Sequence, residues 1–368
     1  MFYDHIPLQL VLFFVLYGIT GVVPLIAAVY LLLRRGNAFA PDTTPPLRLR
    51  RWAASFFTVA ALGHVWWFLF YISSGDIHST DDIFRSVVYM AAVLLDCVTL
   101  LTTIAGTLLA MLQDRHRPVW PVFAAMMPFV IMGGVLIVSP DKQLIQIAVA
   151  YVLLLYLLFT VYVAFAVRQY GRWLRDNYAD LERKEVWLTH VLSLVFMLLF
   201  IFYALVDTNI ILIFILHVIE LALFGLLLWR VETLPQLDIP PQVQPQPAAP
   251  PTIDLEQTDR LLKERCVDTQ LYLQHDLTLQ QLAQAIGTNR TYLSQYFIRQ
   301  GITYNIYINN LRINYFIIRY HEVANTQEYF SVQQLAKESG YHSYSTFSLA
   351  FKQRTGQSVT AWMREPAE

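Results

Sequence analysis

The chain has 368 residues, of which 56% are hydrophobic and only 14% charged, with a mean hydropathy of +0.44 and a formal net charge of −1 at pH 7. That balance excludes an ordinary soluble protein. Its two cysteines, Cys97 and Cys266, fall in regions too far apart to bridge, so neither a disulfide framework nor a cysteine-built zinc site is implied.

The apolar excess is concentrated before residue 231. Segments near 8–33, 52–72, 86–112, 119–138, 144–167, 186–206 and 210–229 each run about 20 residues or more without a Lys or Arg. At about 1.5 Å per residue, each is long enough to cross roughly 30 Å of hydrocarbon, which predicts a seven-helix transmembrane bundle. The first segment is too long, and its leader Met1–Pro7 too poor in positive charge, for a cleaved signal peptide, so it is expected to stay in the membrane. Alternate loops take the basic residues. Arg34, Arg35, Arg48, Arg50, Arg51, Arg115, Arg117, Arg168, Arg172, Arg175, Arg183 and Lys184 fall on one side, against Arg85 and Lys142 on the other. This asymmetry predicts a multi-pass protein of the cytoplasmic (inner) membrane, with the N-terminus outside and everything after Arg230 in the cytoplasm.

Loops on the outer side are short, so no folded extracellular sensor is expected. A signal must enter the bundle, bind its outer mouth or come from a membrane partner. His64, Asp96, His217 and Glu220 fall near the middle of their spans, and His217 and Glu220 share one helix face. Ionisable groups at that depth are costly and usually face the bundle interior. They form either a sensing pocket for a small ligand, proton or metal, or a set of interhelical hydrogen bonds that lock the bundle. No metal site is assigned from sequence, because only the His217/Glu220 pair has local geometry.

Residues 234–251 hold seven of the seventeen prolines and no glycine, the composition of a semi-extended polyproline II linker. At about 3.1 Å per residue such a linker reaches roughly 50 Å. Residues 252–276 read as a connecting helix, with six acidic against three basic residues between Asp254 and Asp276. Residues 277–364 carry eight basic against three acidic residues, so nucleic-acid contact is expected there. The stretch Leu279-Gln280-Gln281-Leu282-Ala283 followed by Gly287 recurs as Val332-Gln333-Gln334-Leu335-Ala336 followed by Gly340, 53 residues on. Each copy has helical apolar spacing, a turn glycine and a second helix, capped in the later copy by Ser343 or Ser345. A long helix over 303–320 joins the two copies.

These residues, together with Tyr292-Leu293-Ser294, Phe297, Gly301, Tyr307, Arg312-Ile313, Tyr341, Phe347, Phe351-Lys352 and Gly356, resemble the DNA-binding domain of the arabinose-regulator (AraC) family over about 90 residues. The resemblance implies two helix-turn-helix units that set two recognition helices into successive major grooves of double-stranded DNA. Carried over by motif, the base-facing residues would be Thr291, Ser294 and Gln295 in the first unit and Ser345, Thr346 and Leu349 in the second. The family often has Arg where this chain has Gln295 and Leu349, and often Pro where it has Val359. Gln favours adenine and Leu touches only a thymine methyl, so an A·T-leaning target is expected. Arg290, Arg299 and Lys352 are candidate phosphate ligands; each also suits an ordinary solvated charge. Arg312, on a helix with apolar neighbours, suits a structural partner as well as a DNA ligand.

The expected organisation is thus all-α: a transmembrane sensor over 1–233, a linker over 234–251, a connecting helix over 252–276 and the DNA reader over 277–368. The function expected is that of a membrane-integral, one-component transcription regulator, not an enzyme, with no catalytic residues and no cofactor. Its partners would be DNA, the lipid bilayer, an unknown small ligand or membrane partner, and possible copies of itself as a homodimer. The alternatives are an intramembrane metal-dependent hydrolase or a transporter, either with a regulatory DNA-binding tail.

Overall fold

The computed structural model describes residues 8–34, 36–75, 82–139, 141–181, 184–205, 210–237, 254–326 and 330–364. Most of the proline-rich linker lies outside the described residues. All regular elements among the described residues are helical, as the sequence predicts. The chain divides into two compact units, Met1–Arg168 with Val186–Asp238, and Gln169–Glu185 with Ile239–Glu368.

Seven helices occupy the region of the expected spans: α1 (Leu8–Leu33), α2 (Leu47–Gly75), α3 (Asp82–Ala110), α4 (Trp120–Val138), α5 (Lys142–Asn177), α6 (Trp187–Leu205) and α7 (Ile210–Thr233). Among the described residues, six are long and apolar enough to cross a membrane, while α6 contributes a shorter apolar stretch, Trp187–Phe196. Helix α5 runs ten residues past the expected span, because Arg168, Arg172 and Arg175 are good helix formers that need not end it. Its last turns belong to the second unit.

In the first unit α1 packs on α2 and α7, α2 on α3, and α3 on α4. Glycines permit close approach: a Cβ at Gly106 would lie 2.2 Å from the Trp52 ring, and one at Gly133 would lie 2.7 Å from Leu94. Small residues at crossings are how apolar helices gain contact where no hydrophobic effect drives them together. Large apolar side chains face outward, among them Ile26 at 61% and Phe165 at 64% exposure. A surface of this kind suits lipid and is a liability in water.

One end of this unit is polar and tightly bonded. The Arg34 guanidinium meets the Glu232 carboxylate at 2.6 Å, both buried, and Tyr30 donates to the same carboxylate at 3.0 Å. Asn37 Nδ2 donates to the Glu232 carbonyl at 2.7 Å. Beyond α7, Gln113 Nε2 donates to the Pro235 carbonyl and Gln113 Oε1 accepts from Leu237 N, each at 2.9 Å, while Gln236 N donates to the Thr44 carbonyl. The chain therefore leaves α7 pinned by the α1–α2 and α3–α4 connections.

Besides the end of α5, the second unit contains α8 (Leu255–Leu262), capped by Asp254, which passes through a π-turn at Lys263–Val267. Helices α9 (Leu279–Ile286) and α10 (Arg290–Arg299) form the first helix-turn-helix. Next comes α11 (Tyr304–Thr326), and then α12 (Val332–Glu338) and α13 (Tyr344–Thr355) form the second, followed by α14 (Val359–Trp362). Among the described residues this unit holds two hydrophobic cores. Leu282, Leu293, Phe297 and Ile308 lie in the first; Phe316, Leu335, Phe347 and Phe351 lie in the second. Helix α11 supplies Ile308 to one core and Ile313 and Phe316 to the other, so a single rigid rod fixes both units.

Candidate functional site

In the first unit the fold gathers most of the predicted polar set. Helix α2 delivers His64 and α7 delivers His217 and Glu220, whose donor atoms all lie within 4.8 Å of one another. His64 Nε2 is 4.0 Å from Glu220 Oε2, and the two imidazole centroids are 6.0 Å apart, edge to face. Each imidazole Nδ1 is bonded to a carbonyl one turn back on its own helix: His64 to Ala60 at 2.9 Å, His217 to Ile213 at 2.8 Å. A carbonyl only accepts, so Nδ1 carries the proton in both rings and Nε2 keeps its lone pair.

Asp96 of α3 stands to one side. Its Oδ2 accepts from Trp67 Nε1, while its Oδ1 is buried and has no hydrogen-bond partner among the described residues. Sequence reasoning missed Tyr17 of α1, whose hydroxyl donates to the His64 carbonyl at 2.7 Å and whose ring packs 5.1 Å from His64 and 5.6 Å from His217. Nothing local distinguishes it from the other aromatic residues of α1.

In the second unit the two recognition helices are α10 and α13. Thr278 opens α9 with a reciprocal capping box to Gln281, and Gly287 turns the chain at φ +80°. Asn289 caps α10 by accepting from Tyr292 N at 2.8 Å. Ser343, not Ser345, caps α13, accepting from Thr346 N. Thr291, Arg299, Ser345, Leu349 and Lys352 are exposed on these helices, and Ser294, Gln295 and Thr346 are half-buried. The side chains that fill the cores, Leu293 and Phe297 on α10 and Phe347 and Phe351 on α13, occupy the opposite faces.

Arg290 differs from the other predicted phosphate ligands. It is half-buried, and its Nε donates to Asn177 Oδ1 at 2.7 Å. Burial lowers its pKa, against the pull of Tyr178 and Asp176. Its partner comes from the segment 169–185, which sequence alone presents as a basic loop. The structure inserts that segment into the first helix-turn-helix: Ala179 joins its core, Asn305 Nδ2 donates to the Ala179 carbonyl at 2.6 Å, and Tyr178 bridges to Thr278.

Arg312 proves structural. Fully buried, it donates from Nε to the Tyr272 carbonyl at 2.7 Å and from Nη2 to the Gln274 carbonyl at 2.8 Å, under the Tyr341 ring. Gly340 makes room for it at φ +91°, where a Cβ would fall 2.9 Å from Arg312 Nε and from the Leu273 carbonyl. Beside it, Asp276 accepts from Lys184 at 3.0 Å and from His342 at 2.7 Å. Burial pulls the Asp276 carboxyl upward, but Lys184 and His342 outweigh it and hold it below the usual range. Arg354 ties α13 to α11 through the Asn310 carbonyl and Asn314.

A surface with two capped recognition helices, each seated on its own core and both fixed by α11, is built to read DNA. Residues 282–365 match the family model described as a helix-turn-helix domain. Comparison with curated proteins and with solved structures gives no match. The C-terminal part of this chain is therefore an AraC-type helix-turn-helix domain, and the protein is a DNA-binding transcription regulator.

Proposed function

We propose that the protein is a membrane-integral, one-component regulator whose first unit senses a signal within the inner membrane and whose second unit binds a specific two-part DNA site in the cytoplasm. One observation carries this reading. Two recognition helices held by one rod occur in the same chain as six helices long and apolar enough to cross a membrane. The basic-loop asymmetry supports seven crossings and a cytoplasmic second unit. Thr291, Ser294, Gln295, Ser345, Thr346 and Leu349 read bases; Arg299 and Lys352 hold phosphates, joined by Arg290 when Asn177 releases it.

The route from signal to reader is mechanical. His217 and Glu220 share α7 with Glu232, and the twelve residues from Glu220 to Glu232 span about 18 Å of continuous helix. A shift of α7 at the polar cluster changes the Glu232–Arg34 pairing and the pinned exit at Pro235–Leu237, from which the linker to the reader departs. The domain limits follow as 1–233 for sensing, 234–251 for the linker and 252–368 for reading, with 169–185 serving as an added clasp on the reader.

Crosslinking the full chain to the chromosome and sequencing the bound fragments tests this. Discrete sites are expected, each with two half-sites about 10–10.5 base pairs apart. Occupancy blind to sequence would overturn the reading, as would a C-terminal reporter active only outside the membrane.

A further inference from the structure

The polar cluster of the first unit is unbalanced in charge. Glu220 brings a carboxylate into it, and Asp96 of α3 adds a second from one side. The sequence places no Lys or Arg at residues 8–33, 52–84, 86–114 or 185–229, so the helices that build the cluster offer no cation near it. Acids held inside an apolar bundle without a cationic partner are costly, and proteins that retain them usually pair them or give them to a metal.

The donors are also spaced for an ion and not for one another. At 4.0 Å, His64 Nε2 and Glu220 Oε2 are too far apart for a hydrogen bond, and among the described residues no hydrogen bond joins His64, His217 and Glu220. Interhelical hydrogen bonds run beside the cluster, from Trp67 to Asp96 and from Tyr17 to the His64 carbonyl, but among the described residues none joins its three donors to one another. Meanwhile both imidazoles have their Nδ1 protons committed to backbone carbonyls. Those bonds fix the tautomer in which Nε2 can ligate. Sequence placed His64 at the same depth but gave local geometry only to the His217/Glu220 pair; packing of α2 against α7 brings the third donor to it.

The geometry points to a binding site for one divalent transition-metal ion of the zinc class, held by His64 Nε2, His217 Nε2 and a Glu220 carboxylate oxygen. Imidazole and carboxylate donors suit such an ion, and three protein ligands leave a fourth position open. Around zinc, with bonds of about 2.0–2.1 Å, tetrahedral donors stand roughly 3.3 Å apart. Donors now within 4.8 Å of one another would therefore draw together by about an ångström and pull α7 toward α2. Asp96 contributes its charge from the second shell. The inference rests on the regulator reading for its purpose, since the ion would be the signal that moves α7.

Full-length protein in detergent, stripped with a chelator and titrated with Zn2+, is expected to bind one equivalent per chain. Co2+ in its place is expected to give the visible absorption of a tetrahedral nitrogen and oxygen site, a measurement that needs no substitution. His64→Gln, His217→Gln and Glu220→Gln should each weaken Zn2+ binding by at least about 10-fold, with helical circular dichroism unchanged. Absence of stoichiometric binding by the unsubstituted chain, or undiminished affinity in His64→Gln and Glu220→Gln, overturns the site. Chromosomal occupancy in zinc-replete and chelator-treated cells separates the two claims. Specific occupancy that is identical in both conditions overturns zinc as the signal, whereas no specific occupancy in either overturns the DNA-reading proposal and leaves the titration to decide the site.

Discussion

In the first unit Ile26, Ile131 and Phe165 face outward while Arg34, Glu232, His217 and Thr107 are buried; in the second, Leu293, Phe316, Phe347 and Phe351 are buried while Lys337, Lys352 and Arg299 face outward. One chain thus follows two opposite rules, each appropriate to a different solvent. Lipid accepts apolar side chains but forces polar groups to find partners inside, and water reverses both demands. The informative residues in each unit are those that break its rule. Arg312 is a buried cation in the water-type unit, bonded through Nε and Nη2 to two carbonyls, and the His64–His217–Glu220 cluster is a largely enclosed donor set in the apolar unit with no hydrogen bond between its members among the described residues.

The comparison breaks most visibly at Arg312. Arg312→Ala leaves the Tyr272 and Gln274 carbonyls buried without a donor and opens a cavity between the two helix-turn-helix cores, a loss of about 4 kcal/mol. Hydrogen exchange on the full chain should show lost protection over 254–364 and little change in α1–α4; equal loss in both units would mean that they do not fold as separate cooperative blocks. The matching change in the first unit is Arg34→Ala, which strands the fully buried Glu232 carboxylate and should cost about 3 kcal/mol. Here exchange should rise around α7, and signal-dependent transcription should fail while affinity for DNA stays the same. Reduced affinity would place Arg34 on the reader's side of the comparison.

Smaller effects sharpen it. Lys352→Ala should weaken DNA binding evenly across sequences and lower the salt dependence of log affinity by about one. A change confined to particular sequences would make Lys352 a base reader instead. Asn177→Ala frees Arg290 from its protein partner. Set against a net hydrogen-bond contribution of about 0.5–1 kcal/mol, the gain should be a roughly 2–5-fold tighter affinity for DNA in the full chain. Weaker binding would show that the clasp supports the reader without restraining it.

The elements were largely legible because their signals are local. Seven runs free of Lys and Arg became seven helices, and Leu282, Leu293, Phe297, Leu335, Phe347 and Phe351 went into the cores that their spacing predicts. The end of α5 was less legible. Arg168, Arg172 and Arg175 interleaved with Tyr170, Trp173 and Leu174 suit a loop and a helix alike, and burial of Tyr170, Leu174 and Ala179 decides between them.

From the sequence alone, period and repetition determined which segments are helices, which faces are apolar and where the two DNA-reading units begin. Helix formation and amphipathicity depend on neighbours three or four residues away. Tertiary structure alone decided that His64 meets a pair 153 and 156 residues further on, that Asn177 engages Arg290 and that Arg312 serves two carbonyls instead of DNA. Such encounters arise when helices pack, and they depend on the crossing of rigid rods rather than on any spacing along the chain.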